Sequence, residues 1–265
     1  MYNRDAMLDF TLEMYRRLCG ALAESGYRSL LMRDFAETRA ETGKARLFLR
    51  HDVDSMPHSA IDLAKIEKEH GLAATYFFRC VKSAFDPAVI ATIHEMGMEC
   101  GYHYETLDRA KGDYEKAIAI TRDDLAELRA IAPVTTMAMH GNPLTPYDNR
   151  DLWTKYDYRD FGINLEAYQI ISDKLKYFND TGRNWDETRG NLLDMGKTVT
   201  ELRLTDTPSL IRYVQSNIED VCISAHPNRW SSKPLIWSYN LAYDTTGNIV
   251  KGLIKLVRKK QRIAH

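Results

Sequence analysis

Short apolar segments alternate with amphipathic segments along most of this chain, and this order limits the folds that it can adopt. The apolar segments have the length and the β-branched or aromatic content of strands, and they are RLFLRHDV (46–53), AATYFF (73–78), MECGYHY (98–104), VTTMAMHG (134–141) and VCISAH (221–226). A repeated order of strand and helix favours a parallel sheet. So many units in 265 residues predict an α/β fold, a distorted TIM-like (β/α) barrel.

The segments between the strands have helical spacing, and Pro or Gly marks many of their ends. Helices are predicted over 5–24, from Pro57 to His70, from Pro87 to Gly97, over 113–130 and from Pro208, with a basic helix at about 247–262. The middle of the chain, about 142–196, is predicted to be irregular. No repeat, linker or shift in composition divides the chain, so we expect one domain over 1–265 with a motif-bearing core at about 46–230.

Charge and hydropathy exclude several classes of function. The formal net charge is -1, so no general electrostatic attraction to nucleic acid is expected. No apolar run approaches the roughly 20 residues of a membrane span, and charged residues interrupt the first 20 residues, so the sequence predicts a cytoplasmic protein.

The four cysteines lie far apart and are expected to be reduced thiols. The sequence does not indicate an oligomeric state.

Ionisable side chains are concentrated where the predicted strands end. They are Asp52 and Asp54, His103 and Glu105, His140, and His226, and they belong to four different strand ends. The carboxyl ends of parallel strands meet at one rim of an α/β sheet, where sites are built. We therefore expect these carboxylates and imidazoles to lie close together.

The tetrapeptide HDVD at 51–54 is the sharpest local pattern. Side chains alternate along a strand, so Asp52 and Asp54 share a face while His51 and Val53 point the other way. Two carboxylates so close together are relieved by a cation or by protonation. The pattern is therefore typical of a divalent metal site with one aspartate as ligand and the other as a base. The alternative is a solvent-exposed turn that caps the following helix, which would have the same sequence.

Histidines at three further strand ends would complete such a site. A catalytic metal site needs about three protein ligands and an open position for water. The metal lowers the pKa of its bound water, while a carboxylate base and an imidazole acid complete a hydrolytic set. Mixed ligation by His and carboxylate suits one divalent ion, zinc first, with cobalt, nickel or iron as alternatives. The residues thus predict a metal-dependent hydrolase.

Four segments, in order, carry a family resemblance: LRHDVD, MGMECGYHYETL, MAMHG and ISAHP, within about 46–230. Together they resemble the polysaccharide deacetylase family (the NodB-homology fold), whose fold is a distorted barrel. HDVD together with HPNRW is similar to the WbmS-like branch, which is associated with O-antigen and other surface-polysaccharide biosynthesis. The resemblance implies removal of an N-acyl group, typically N-acetyl, from an amino sugar.

The resemblance also implies roles for individual residues. Asp52 corresponds to the catalytic base, and Asp54 takes the place of the metal-binding aspartate, displaced by one position because Val53 splits the usual Asp-Asp pair. His103 matches a metal-binding histidine of the second motif. His226 matches the late histidine that protonates the departing amine.

One position departs from the family pattern, because Leu107 stands where the second motif normally carries another histidine. A metal held by Asp54 and His103 alone would lack ligands. His140 is expected to replace the missing histidine because it restores an imidazole, and Glu105 is the alternative.

The remaining site residues follow from looser matches. The segment FNDTGRNWDE is similar to the family's fourth motif, and HPNRW surrounds His226. The residues of these segments that are expected to bind substrate are Asp180, Arg183, Trp185, Arg229 and Trp230. Glu105 is expected to bind substrate as well.

The expected partner is an N-acylated amino sugar, or a nucleotide-linked or lipid-linked sugar precursor. Two other functions remain open from the sequence. One is a non-catalytic relative that binds a sugar or a protein partner. The other is a metal-dependent hydrolase of a C–N bond in a cyclic amide or ureide.

Overall fold

The computed structural model describes residues 8–35, 44–142, 144–170, 175–185 and 204–247. Its frame is a sheet of eight strands, β1 Arg28–Leu30, β2 Arg46–Val53, β3 Ala74–Phe78, β4 Glu99–Tyr104, β5 Thr136–Met139, β6 Leu165–Glu166, β7 Lys176–Asn179 and β8 Val221–Ala225. Seven strands follow the order β6-β5-β4-β3-β2-β8-β7, with all neighbours parallel. The sheet curls into a half-barrel, which confirms the predicted distorted α/β barrel.

The helices are α1 Leu12–Glu24, α2 His58–Glu69, α3 Pro87–Glu95, α4 Thr106–Arg109, α5 Tyr114–Arg129, α6 Leu152–Lys155 and α7 Thr207–Ser216. Residues 234–247 are also helical. Side chains that accept a hydrogen bond from a backbone N–H two or three residues later set the beginnings of several helices, as Asp86 does for α3 and Asp113 for α5. No helix within the described ranges combines the length and the apolar character that crossing a membrane requires.

Strand β2 lies at the centre of the sheet, and both of its faces are covered. It pairs with β3 on one side and with β8 on the other, while β1 lies beside its beginning. Every residue from Leu47 to Val53 is buried. A parallel strand covered on both faces has a nearly continuous apolar run, and the buried part of β2, LFLRHDV (47–53), departs from that rule only at Arg50, His51 and Asp52. These polar residues therefore need partners inside the protein.

Alternate residues of β2 enter two different cores. Phe48 packs inside the half-barrel with Phe77, Tyr177 and other side chains. Leu47 and Leu49 pack on the outer face in the larger core. The alternation puts Arg50 and Asp52 on the inner side with Phe48, so the polar residues at the carboxyl end of β2 divide in the same way.

His51 lies on the outer side in a buried polar cluster. Its Nε2 atom is 2.5 Å from Glu67 Oε1 in α2, and the hydroxyls of Tyr15 and Tyr76 donate hydrogen bonds to the same carboxylate. His51 and Glu67 are both fully buried. This cluster joins α1, α2 and β3 to the back of β2, and His51 therefore holds the fold together on the side opposite Asp52.

Several predicted elements need correction. Helix α1 begins at Leu12 rather than at residue 5, after an N-cap at Thr11. Strands β6 and β7 and helix α6 lie in the region predicted to be irregular, and each has only two to four residues, which is too short for a periodic pattern. Strand β1 and the helical residues 234–247 were not predicted. The basic helix expected at about 247–262 lies outside the described residues from 248 onwards.

Candidate metal centre

Four strand ends deliver the candidate side chains to one rim of the half-barrel. His103 is the penultimate residue of β4, and His140 follows β5, where its backbone N–H donates to Tyr104 O at 2.8 Å. Asp54 follows β2 directly, and His226 follows β8. The predicted meeting of these residues therefore arises from the parallel register of the sheet.

Three imidazoles surround the Asp54 carboxylate. His103 Nε2 lies 3.3 Å and His140 Nε2 lies 3.6 Å from Asp54 Oδ1, while His226 Nε2 lies 3.7 Å from Asp54 Oδ2. One ligand atom from each of Asp54, His103 and His140 can be chosen so that all three lie within 4.8 Å of one another. Atoms at this spacing can contact one ion placed between them.

The Asp54 carboxylate fits a metal better than it fits its protein neighbours. Asp54 Oδ1 is buried and makes no hydrogen bond within the part of the chain that the structure describes, because the nearby imidazole contacts lack hydrogen-bond geometry. An unsatisfied buried carboxylate oxygen is costly. One carboxylate and two imidazoles are a ligand set suited to zinc with an open position for water. The residues present thus fit a divalent ion.

The opposite side of each imidazole lies close to an oxygen atom. His103 Nδ1 lies 3.0 Å from Ala138 O, His140 Nδ1 lies 3.0 Å from Glu105 Oε2, and His226 Nδ1 lies 2.6 Å from Asp180 Oδ1. Nδ1 makes a hydrogen bond in His103 and His226, whereas His140 Nδ1 makes none within the described residues and lies at ion-pair distance from Glu105. All three rings present Nε2 to the Asp54 carboxylate.

The charge state of Asp54 follows from the same contacts. Burial raises the pKa of the Asp54 carboxyl, but the imidazoles of His140, His103 and His226 outweigh burial and hold that pKa well below its ordinary value. Asp54 is therefore ionised at neutral pH, which is the state that binds a cation.

Asp52 is held differently, by a guanidinium from its own strand. Arg50 Nε and Nη2 donate to Asp52 Oδ1 and Oδ2, each at 2.8 Å, and both side chains are buried. Burial raises the pKa of Asp52, whereas Arg50, His103 and His226 lower it, and the balance leaves it below its ordinary value. Asp52 Oδ2 lies 3.8 Å from His103 Nε2. Asp52 is thus a fixed anion beside the candidate ligands.

Glu105 lies behind His140. The Arg79 guanidinium donates to both carboxylate oxygens of Glu105, at 2.7 to 3.1 Å. Burial raises the pKa of Glu105, but His140 and Arg79 outweigh it and lower the pKa to about 2. Within the described residues, the group that could hold an ion includes His140 and leaves out Glu105. This geometry favours Glu105 as the residue that orients His140.

Asp180, expected to contact substrate, is completely buried behind His226. Its Oδ2 accepts from the backbone N–H of His226 at 2.9 Å and from Trp230 Nε1 at 3.0 Å, and its Oδ1 accepts from Arg229 Nη1 at 2.8 Å. Burial raises the pKa of Asp180, but Arg229 and His226 lower it to about 2. The structure therefore makes Asp180 the support of His226 and not part of the wall that substrate touches.

The other expected substrate-binding residues also have internal contacts. Trp185 and Trp230 are 1% and 2% exposed, and both pack against Phe10. Indoles buried this deeply have no free face for a sugar ring, so both are reassigned to packing. Arg183 and Arg229 pair with Asp244 through Nε, at 3.0 and 3.3 Å, and so attach the helical residues 234–247 to this rim.

Leu107 lies in an apolar cluster away from the site. It is 2% exposed and shares this cluster with Ala110, Ile118, Leu152 and other side chains. Leu107 thus cannot supply a ligand here, and within the described residues the candidate group contains His140 as its second imidazole.

Sequence reasoning missed Arg50 and Arg79. Arg50 could have been found, because it precedes Asp52 by two residues in a buried strand and therefore shares its face. Arg79 follows β3, so the rule that strand ends meet would have included it. Its Nη1 also donates to Asp54 O at 2.9 Å.

Comparisons with known proteins add little to this geometry. No family model matches the chain, and no curated protein matches it either. A CE4 family pseudoenzyme from Bacillus anthracis matches with 15% identity and a TM-score of 0.42, over 80% of this chain and 63% of that one. A mutant of that pseudoenzyme with restored enzymatic activity matches with 16% identity and a TM-score of 0.42, over 80% and 65%. This chain therefore spans less than two thirds of those structures, and at this similarity they carry no inference about the site.

The His140→Ala variant tests the ligand set. It removes one of the three candidate ligands, so we expect zinc retained after dialysis to fall at least about tenfold. His94→Ala, in which an exposed imidazole of α3 is removed, is the matched control and should retain zinc as the parent does. The measurement is elemental analysis of the dialysed proteins. Full retention by His140→Ala would remove His140 from the ligand set and return Glu105 to it.

The low pKa of Asp180 predicts a pH dependence of stability. An aspartyl pKa held at about 2 when folded, against about 3.9 when unfolded, stabilises the fold above pH 4, and this stabilisation is lost as the pH falls toward 2. The difference in free energy of unfolding between the parent and Asp180→Asn should therefore shrink by about 1 kcal/mol between pH 6 and pH 3. Urea unfolding at the two pH values measures it. A difference that stays constant would contradict the assignment.

Proposed function

We propose that this protein is a metal-dependent hydrolase that removes an N-acyl group, normally N-acetyl, from an amino sugar or sugar precursor in surface-polysaccharide biosynthesis. The observation that carries the proposal is the set of Asp54, His103 and His140, whose ligand atoms lie within 4.8 Å of one another. Beside it lie Asp52, a carboxylate outside the ligand set, and His226, an imidazole held by its own carboxylate. Metal ligands, a base and an acid are the parts that amide hydrolysis requires.

The proposed cofactor is one divalent ion, zinc in the first place, held by Asp54, His103 and His140. Such an ion supplies Lewis acidity, which polarises an acyl carbonyl and lowers the pKa of a water molecule. The chain's own contribution is to fix the three ligand atoms through Ala138 O, Glu105 and the end of β2. Ligands oriented in this way lose little freedom when the ion binds.

Asp52 is proposed to take the proton from the attacking water. Its lowered pKa keeps it ionised at neutral pH, so it is ready to accept. Each carboxylate oxygen has two lone pairs, and Arg50 uses one on each, so one per oxygen is left to accept a proton. The same contact fixes the direction of those lone pairs.

His226 is proposed to protonate the leaving nitrogen. As the water oxygen bonds to the acyl carbon and the C–N bond breaks, the amine nitrogen needs a proton, which His226 Nε2 can deliver. The Asp180 carboxylate at 2.6 Å from Nδ1 stabilises the charged imidazole before the transfer. The products are a free carboxylic acid and the amino sugar.

The choice of an amino sugar rests on the resemblance of LRHDVD, MGMECGYHYETL, MAMHG and ISAHP to polysaccharide deacetylases. A cytoplasmic location, the WbmS-like branch and a nucleotide-linked or lipid-linked precursor belong to the same proposal. The range of substrates that the purified protein accepts tests the nucleotide-linked or lipid-linked precursor.

The Asp52→Asn variant separates proton transfer from metal binding. The amide keeps the shape of the carboxylate but cannot accept the proton, so turnover should fall by about 100-fold or more while zinc content stays at the parent level. Release of amine from N-acetylglucosamine oligomers and from UDP-N-acetylglucosamine measures turnover, and elemental analysis measures zinc.

Asp62→Asn is the control for Asp52→Asn, because it removes one exposed carboxylate from α2 and should leave both measurements unchanged. An Asp52→Asn protein with substantial residual turnover would contradict the assignment of the base. Failure of the metal-loaded parent to release amine from any N-acylated sugar would contradict the proposed function itself.

A further inference from the structure

The helical residues 234–247 make polar contacts on their inner side and expose large apolar side chains on their outer side. Their inner side is anchored by polar contacts: Trp237 Nε1 donates to Asp9 O at 2.9 Å, the Asn240 amide donates to a backbone oxygen, and Asp244 pairs with two arginines. Asn240 is only 4% exposed. Trp237, Asn240 and Asp244 thus face the protein, whereas the helices of a water-soluble domain normally turn such polar side chains to solvent.

The outer side of the same helix is apolar. Leu235 is 87%, Tyr239 60% and Tyr243 68% exposed. Residues four apart lie on one face of a helix, so these three side chains form a stripe, and the rings of Tyr239 and Tyr243 stack with centroids 6.5 Å apart. No ordinary packing requirement of the described fold explains such a stripe.

The stripe continues to the rim that carries the metal ligands. Leu235, Ile236 and Tyr239 line an open groove of about 300 Å³ together with Met56. Met56 is two residues from Asp54 and is itself exposed. We call Met56, Leu235, Ile236, Tyr239 and Tyr243 the apolar patch. Of the eight large apolar side chains that are exposed within the described ranges, four belong to this patch.

The sequence that follows the helix is strongly cationic. Residues 248–265 contain no Asp or Glu and six basic residues, Lys251, Lys255, Arg258, Lys259, Lys260 and Arg262. Lys233, immediately before the helix, is exposed. A cationic stretch of sequence therefore follows directly after the helix that carries the apolar patch. This order of residues suits a partner that is both apolar and anionic.

We infer that the apolar patch docks on an anionic lipid bilayer, whose charge is opposite to that of the basic sequence on either side of the helix. Tyrosine, leucine and methionine bury apolar area at the boundary of headgroups and acyl chains, and lysine and arginine add electrostatic attraction. This docking would place the rim that carries Asp54 close to the membrane surface. The inference does not rest on the proposed function, because lipid binding requires neither the metal nor turnover.

Vesicle binding tests the apolar patch directly. The full chain is mixed with sucrose-loaded vesicles of phosphatidylcholine and phosphatidylglycerol (3:1), and bound protein is measured after sedimentation. We expect binding that weakens at least about tenfold in the variant Leu235→Ser/Tyr239→Ser, because both side chains lose their insertion into the lipid. Vesicles of phosphatidylcholine alone, or salt raised to about 0.5 M, should also weaken binding because they remove or screen the charge attraction.

Ile218→Ser is the matched control. Ile218 is also exposed, but it precedes β8 and therefore lies at the end of the half-barrel opposite the metal ligands. This variant should bind vesicles like the parent. Zinc content and hydrolysis of a water-soluble substrate should stay unchanged in both variants, so a failure of lipid binding is distinguishable from a failure of the proposed function.

Three results would overturn the inference. The first is no binding of the parent to anionic vesicles, and the second is equal binding by the parent and Leu235→Ser/Tyr239→Ser. The third is a concentration-dependent dimer in sedimentation velocity that the same double variant abolishes, since this would assign the apolar patch to a second copy of the chain.

Discussion

The contact between the Asp54 carboxylate and three imidazole Nε2 atoms is the interaction on which the rest of this site depends. A buried carboxylate oxygen without a hydrogen bond is unfavourable, and the surrounding imidazoles offset that cost only in part. The parallel sheet makes the arrangement possible, because the carboxyl ends of β2, β4, β5 and β8 meet at one rim. The site can therefore be understood as a cation-binding position that the fold prepares with fixed nitrogen and oxygen lone pairs.

Two aspartates from one short segment have different environments, and the difference separates their roles. Asp52 lies within β2, where Arg50 satisfies both of its oxygens. Asp54 lies just past the strand, where its side chain faces imidazoles instead of a guanidinium. Behind the imidazoles, Asp180 accepts a hydrogen bond from His226 Nδ1, and the Glu105 carboxylate lies 3.0 Å from His140 Nδ1. Orientation by such outer carboxylates is a general property of metal and acid-base sites.

The fold and the meeting of the site residues were predictable because both depend on local pattern. A strand has a two-residue period, so the shared face of residues 50, 52 and 54 follows from position alone. Strand ends in a parallel sheet meet, so His103 and His140 could be placed together without knowing the strand order. Strands β6 and β7 could not be predicted, since two to four residues carry no periodicity.

The contacts around the site could not be predicted, because they join residues far apart in the chain and no local sequence pattern indicates them. Trp185 and Trp230 were expected to contact a sugar, but their indoles pack against Phe10, which is 175 and 220 residues away in sequence. Asp180 and Asp244 have partners that no spacing rule connects. The apolar patch went unnoticed for a similar reason, because the outward side of residues 234–247 is known only once their inward contacts are seen.

A crystal structure of the zinc-loaded protein, with anomalous scattering recorded at the zinc edge, tests the central claim most directly. The account predicts one strong anomalous peak at about 2.0–2.2 Å from a carboxylate oxygen of Asp54 and from the Nε2 atoms of His103 and His140. The Asp52 carboxylate should stay paired with Arg50 and outside the coordination sphere. A peak at another position, or no peak at this rim, would contradict the account.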